Sequence, residues 1–371
     1  MLPSLKEAAL LNLPFISQGK TLSWVGFYIH GERRFTTEFD TLTIIDDSRL
    51  KVKVSRRDKS SESFAQDVLQ GLSSTQKTLP PKYFYDETGS ELFEKITRLP
   101  EYYPTRTERA IIEKYSEEIA ILAQKDFAFI ELGSGSSTKT RLLLEAFLRR
   151  NEKLHYIPID ISKRILVESA KALLKDYPEL RITAMASDYI TALNSLKQQN
   201  ISKKLIAFLG STIGNFNEKG RIEFLREIRA TMNSQDCFLI GIDLIKDPRI
   251  LEPAYNDSQG VTAKFNLNML VRINKELDGN FNIGKFRHMA FLNKKMSRIE
   301  MHLESTTRQS VKIGKLNHTF EFKKGETIYT EDSCKFSKEQ IKEMAKSSGF
   351  EMKRSWYDSK NWFSLNLFEP I

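Results

Sequence analysis

Cysteine is scarce: two residues, Cys237 and Cys334, in a chain of 371. That excludes a disulfide framework and fits a reducing compartment, so a cytoplasmic protein is expected. The five histidines are scattered and share no ligand spacing with the cysteines, so no metal site is expected. No apolar run approaches the ~20 residues of a membrane-spanning helix. The N-terminal stretch MLPSLKEAALLNLPF carries Lys6 and Glu7 and lacks the basic-then-apolar order of a signal peptide. A glycine is missing too. In FIELGSGSST, Gly133 and Gly135 start a nucleotide-loop pattern, but Thr138 stands where a dinucleotide loop has its third glycine. Lys139 follows Gly135 too soon for a Walker loop. Both absences argue against a pyrophosphate ligand.

What is present is ample for a large core: 40% of residues are hydrophobic. The formal charge of +9 suits acidic partners, RNA included, or simply solubility. No RNA-binding module signature accompanies it, so no nucleic-acid partner is expected.

The first 75 residues or so read poorly. LSWVGFYI and LTIIDD…LKVKVS look like strands, and SESFAQDVLQGL looks helical. TRTERAIIEKYSEEIAILAQ is an amphipathic helix for which Thr105 or Thr107 could serve as cap. From FAFIEL to DCFLIGIDL, short apolar strands alternate with amphipathic helices. That rhythm predicts an α/β, doubly wound parallel sheet covered on both faces. After Lys246 it gives way to a helix, TAKFNLNMLVRINKEL, and strand-like pieces such as SRIEMHLES, and the C-terminus returns to a helix and two strands.

Gly133 and Gly135 permit a tight turn and close backbone approach to a ligand. Asp160, ending IPID, can accept from both hydroxyls of a ribose. Asp188 and Tyr189, ending the next strand, lie at the same sheet edge, near an adenine. A glycine loop with sheet-end acids and no phosphate signature matches S-adenosylmethionine.

Longer stretches carry a more specific likeness. KYFYDETGSELFEKITRLPEYYPTRTE, ELGSGSSTKTR, FLGSTIGNF, DLIKD, AYND…GVTAKFN and YTEDSCKF resemble the histidine N-alpha-methyltransferase family, which forms hercynine, the trimethylhistidine precursor of ergothioneine. The likeness runs from about Leu79 to the C-terminus. It implies a Rossmann-like, S-adenosylmethionine-dependent methyltransferase domain (residues 107–246 with 335–371) and a mixed α+β substrate-binding domain (61–106 with 247–334). Residues 1–60 are an N-terminal extension outside it. By the resemblance, Gly133, Lys139, Asp160, Asp188, Tyr189 and Gly210 line the site of S-adenosylmethionine and of its product S-adenosylhomocysteine. Asn215 and Tyr255 hold the substrate carboxylate, Tyr85 and Tyr102 border the amine and ring, Glu331 and Ser333 grip the imidazole, and Met301 packs nearby. Tyr189 departs from the phenylalanine expected after the acid.

The chemistry gives these residue types reasons of their own. Methyl transfer from a sulfonium needs no acid for its neutral thioether leaving group, so aiming the amine is the main task. Tyrosines beside the amine, Tyr85 and Tyr102, can accept or relay its proton and later face a quaternary cation. A carboxylate, Glu331, is a strong acceptor for a ring N–H. The expectation is therefore a cytoplasmic enzyme, a monomer acting on a free amino acid, that trimethylates the α-amine of L-histidine. The rivals are an N-methyltransferase for another aromatic amino acid such as a tryptophan derivative, a non-catalytic S-adenosylmethionine-binding protein and, on charge alone, an RNA methyltransferase.

Overall fold

The computed structural model describes residues 48–55, 60–199 and 201–371, and before them the backbone of short strands only: Ile16–Ser17, Lys20–Thr21, Phe27–Ile29, Glu32–Arg34 and Thr41–Asp46. The strand expected over 22–29 falls outside the described residues except for its end at Phe27–Ile29. Residues 1–40 form one compact unit and 41–371 another. The second carries the large sheet and the candidate site residues.

Its strands and helices run β1 (Thr41–Asp46), β2 (Leu50–Ser55), α1 (Ser60–Ser73), β3 (Lys77–Thr78), α2 (Glu87–Ile96), α3 (Tyr103–Ala123), β4 (Ala128–Leu132), α4 (Thr140–Leu148), β5 (Leu154–Asp160), α5 (Lys163–Asp176), β6 (Leu180–Ala186), α6 (Tyr189–Lys197), β7 (Lys204–Phe208), α7 (Glu218–Arg229) and β8 (Cys237–Asp243). Then come α8 (Pro248–Leu251), α9 (Val261–Leu277), β9 (Phe286–Asn293), β10 (Arg298–Ser305), β11 (Gln309–Ile313), β12 (His318–Phe322), β13 (Thr327–Cys334), α10 (Lys338–Ser347), β14 (Phe350–Tyr357) and β15 (Phe363–Pro370).

A nine-stranded sheet has the order β14-β15-β8-β7-β4-β5-β6-β2-β1. Strands β2, β6, β5, β4, β7 and β8 are parallel, and β15 enters antiparallel to β8. This is the Rossmann-like α/β arrangement that the alternating rhythm predicts. Every residue of β4, β7 and β8 is buried, as parallel strands covered on both faces must be. Period-two alternation sends Phe129 into an apolar cluster with Ile112 of α3, Phe147 of α4 and Leu173 of α5. Its neighbour Ile130 enters the opposite cluster, with Leu193 of α6, Phe224 of α7 and Met344 of α10. Strands β1 and β2, from the stretch before residue 60, complete the sheet edge, with Leu50 and Val52 buried in the core.

A second, four-stranded sheet, β9-β10-β13-β3, packs with α1, α2 and α9 around a third apolar cluster. Helix α3 starts earlier than its threonines suggest. Tyr102 takes the cap position with no side-chain bond, and the hydroxyl of Thr107 turns back to Tyr103 O at 2.8 Å. Pro104, in the first turn, explains the early start: it has no N–H to satisfy and its φ is already helical.

The order of the nine-stranded sheet reverses at β4, whose neighbours are β5 on one side and β7 on the other. Open α/β sheets bind ligands outside the carboxyl ends of their strands at such a switch point.

Candidate active site

The carboxyl ends of β4, β5, β6, β7 and β8 bring the candidate residues to that edge. Beyond β4 the chain turns through Gly133, at φ +73°, and Gly135, at φ +50°. A side chain at Gly133 would be strained there and would meet the Tyr189 hydroxyl at 2.7 Å. The space where Gly135 would carry a Cβ is open. Glu131, the acid inside FIELGSGSST, faces away into the core. It accepts from Tyr156 and, at 2.8 Å, from Thr140, tying β4 to β5 and to the start of α4. Burial pushes its carboxyl up to about 7.

Asp160 ends β5 and accepts from Gly135 N at 2.9 Å and Ser162 N at 2.8 Å. Each oxygen thus makes one backbone bond, and a carboxylate with about four lone-pair sites keeps capacity for two more. Asp188 ends the next strand and caps α6 by accepting from Thr191 N at 2.9 Å. The Tyr189 ring is set edge-on against Phe208 at 5.5 Å. The hydroxyls of Ser134 and Ser187 are buried at this edge without a partner among the described residues. Orphaned hydroxyls, open space at Gly135 and spare acceptor capacity on Asp160 all fit a nucleoside ligand.

Lys139 is paired with Glu108, which is fully buried and accepts from Gly210 N at 2.8 Å. A side chain at Gly241 would collide with the Glu108 carboxylate. Glu108 thus joins α3, the loop after β4 and the loop after β7. The sequence reading missed it, although it lies within the quoted PTRTE motif.

Next to this edge is a cavity lined by Tyr85, Phe93, Tyr102, Pro104, Gly210, Ser211, Thr212, Asn215, Asp243, Tyr255, Glu331 and Ser333. Six residues expected to meet substrate are in that lining, together with Gly210. Met301 is not. It is buried in the apolar cluster of the second lobe, directly across from Glu331 in the β10–β13 register. Lys139, Asp160, Asp188 and Tyr189 belong to the sheet edge beside the cavity.

Two walls differ in character. One is aromatic: Tyr85 and Phe93 meet edge-on at 5.6 Å, Phe93 and Tyr102 at 6.2 Å, and Tyr102 and Tyr255 at 6.3 Å. Phe93 was not foreseen, because helix α2 reads as an ordinary amphipathic helix. Burial, with Glu331 next for Tyr85 and Tyr255 next for Tyr102, pushes both phenols well above their usual range. They remain neutral at physiological pH, so they hydrogen-bond and offer ring faces but do not act as phenolate bases.

The other wall is polar. Glu331 is held by an Asn215 hydrogen bond, and burial pushes its carboxyl up to about 7. The Tyr255 and Ser333 hydroxyls are 2.7 Å apart. Ser211, left-handed at φ +60°, accepts from Asp243 N at 2.9 Å. That bond, with Gly214 N donating to Ser211 O at 2.9 Å, helps hold a strained residue at the cavity wall. Asp243 accepts from Tyr103 at 2.6 Å and pairs with Lys246 at 2.5 Å and Lys335 at 2.8 Å. A signal for Lys335 was present: Glu331, Ser333 and Lys335 occupy alternate positions, as residues of one strand face do.

Among the described residues no helix is long and apolar enough to cross a membrane, and no group of His, Cys, Asp and Glu is placed to hold a metal.

Comparison with known proteins gives a consistent picture. Residues 64–370 match the family model for histidine-specific, S-adenosylmethionine-dependent methyltransferases. A histidine N-alpha-methyltransferase of Mycobacterium tuberculosis is 42% identical over 81% of this chain and 93% of its own length. The protein of that name from Mycolicibacterium smegmatis is 41% identical over 84% of this chain and 96% of its own. An L-tryptophan methyltransferase of Psilocybe serbica is 26% identical over 80% of this chain and 90% of its own length.

Proposed function

The chain belongs to the histidine-specific, S-adenosylmethionine-dependent methyltransferases, and from that premise we propose that it trimethylates the α-amine of L-histidine to give hercynine, toward ergothioneine. The observation that carries this reading is convergence. Tyr85, Tyr102, Asn215, Tyr255, Glu331 and Ser333, far apart in the chain, line one cavity beside the edge where Gly133 and Asp160 lie.

S-adenosylmethionine, when bound, supplies an electrophilic methyl group on a sulfonium. Asp160 and the backbone at Gly133 and Gly135 would hold its nucleoside, with Asp188 and Tyr189 near the base and Lys139 and Gly210 toward the amino-acid end. The chain's remaining task is to aim a nitrogen. Asn215 and Tyr255 hold the substrate carboxylate, while Glu331 and Ser333 take the ring N–H, with Met301 packed behind Glu331. Two such anchors fix the α-nitrogen between Tyr85 and Tyr102. Orientation of this kind can account for up to ~7–11 kcal/mol of a barrier. The tyrosine hydroxyls accept from the amine and pass its proton to water. As methyl groups accumulate and the nitrogen becomes a fixed cation, the rings of Tyr85, Phe93 and Tyr102 stabilise it by ~0.5–2 kcal/mol each.

In this reading residues 61–106 with 247–334 form the substrate-binding domain. Residues 107–246 with 335–371 form the methyltransferase domain, with β1 and β2 at its sheet edge. The protein acts as a cytoplasmic monomer on a free amino acid, without a nucleic-acid partner.

The test is mass spectrometry of the purified protein with S-adenosylmethionine and each common amino acid in turn. Histidine should gain three methyl groups. Turnover of tryptophan in preference to histidine would move the protein to the neighbouring substrate class, and no turnover of any amino acid would leave a binding protein only.

A further inference from the structure

The carboxylate ligands proposed above, Asn215 and Tyr255, are both neutral. Behind them lies a charge that they do not explain. Lys335 is 2% exposed, and an ammonium has three donors and no acceptor. All three are used: Asp243 Oδ2 at 2.8 Å, Ser333 Oγ at 2.7 Å and Tyr255 Oη at 3.0 Å. Lys246 is also spent, on Asp243 Oδ1 at 2.5 Å, Tyr103 Oη at 2.8 Å and Leu244 O at 2.6 Å. Two buried lysines therefore share the Asp243 carboxylate, and Asp358 acts on Lys246 but not on Lys335.

On the cavity side the acid that Lys335 acts on is Glu331, and burial pushes its carboxyl up to about 7. An unbalanced buried charge is costly. The cluster thus lacks an anion on its cavity side.

The hydroxyls show where that anion goes. Tyr255 and Ser333 both accept from Lys335, and they lie 2.7 Å from each other. One of their two protons occupies the bond between them. The other has no acceptor in the cluster and is directed to the cavity that both residues line.

We infer that Lys335 is the countercharge for the substrate's α-carboxylate, acting through the Tyr255 hydroxyl, which Ser333 also bonds, as a positioning and specificity-determining residue. The inference rests on the proposed amino-acid methyltransferase reading. The ammonium does not touch the carboxylate. It fixes the direction of one O–H toward it and strengthens that donor. The site would accordingly select an amino acid with a free carboxylate over an amide or ester of it.

Lys335→Met tests this, because Asp243 keeps Lys246 as a partner. The substrates are histidine and histidinamide, and the readouts are KM and kcat for each, with S-adenosylhomocysteine affinity as the check on fold. For histidine, kcat/KM should fall about ten- to a hundredfold, the range for losing a hydrogen bond to a charged group, mostly through KM. Histidinamide, which lacks the carboxylate and should already be the poorer substrate of the wild type, should change little, so the preference between the two collapses. Lys335→Gln, which can still donate to Tyr255 and Asp243 but carries no charge, should lose the same ratio, and it decides the matter if the methionine variant does not fold. Equal losses on both substrates, or an unchanged ratio, would overturn the role of Lys335 while leaving the methyltransferase reading intact. Absence of histidine turnover by the wild type would overturn both.

Discussion

Two adjoining parts of the site are made in different ways. At the sheet edge, the groups around Gly133, Asp160 and Asp188 are largely backbone and strand-end carboxylates, each set by a few neighbouring residues. In the cavity beside it, side chains converge from α2, α3, the loop after β7, the segment after α8 and strand β13. The first arrangement follows from the fold and suits a ligand that many enzymes share. The second draws on elements far apart in the chain, and in the proposed reading it is where substrate choice resides.

The largest expected effect strikes the shared half. Asp160→Ala removes acceptors for a ribose and also frees the N–H groups of Gly135 and Ser162 that shape the loop. Loss of charge-assisted bonds at ~1.5–3 kcal/mol each should abolish measurable binding of S-adenosylhomocysteine in calorimetry on the folded variant. Retained affinity would show that the edge is not the cofactor site.

Truncation separates the fold from the extension. A chain starting near residue 62 loses β1 and β2 and the buried Leu50 and Val52, so it should melt well below the full-length protein. A chain starting at Thr41 should keep both its melting temperature and its methylation of histidine. Thermal melts and activity on the two truncations check this, and equal stability would mean that β1 and β2 contribute nothing.

A third effect isolates the cavity by pH. Burial raises the Glu331 carboxyl from 4.5 to about 7 in the folded protein. The folded state therefore holds this proton more tightly than the unfolded chain does. Its charge costs no stability below the unfolded value, costs more as pH rises between the two values, and costs most above the folded one. Glu331→Gln should raise the melting temperature of the ligand-free protein at about pH 8 and leave it nearly unchanged at about pH 4. A pH-independent gain would place the effect in packing instead.

The smallest effect concerns the aromatic wall. Phe93→Leu keeps bulk but removes a ring face near the forming cation. A few-fold slowing of the last methyl transfer, with partly methylated histidine accumulating, is expected from a loss of ~0.5–1 kcal/mol. An equal slowing of every transfer would make Phe93 a packing residue only.

The same contrast governs what the sequence revealed. The sheet was legible because FIEL, IPID and FLG are short, nearly continuous apolar runs, as strands buried on both faces must be, and the helices between them carry their own stripe. Asp160 and Asp188 were legible because strand-end acids are local features. Tyr85, Asn215 and Glu331 became candidates through long motifs that match a family, since no short-range pattern joins residues so far apart in the chain. Glu108, Lys246 and Lys335 escaped because a buried charge looks like a surface charge until its partner is seen. Thr107 misled as a helix cap because Pro104 had already started the helix.

Separability of the two halves is the central claim, and Glu331→Ala tests it most directly. The measurement is kcat/KM for histidine and for tryptophan, with S-adenosylhomocysteine affinity determined on the same sample. Histidine should lose about ten- to a hundredfold, the range for a charge-assisted bond, and tryptophan should lose less or gain, while cofactor affinity stays put. An equal fall on both amino acids, or a parallel loss of cofactor affinity, would contradict the account.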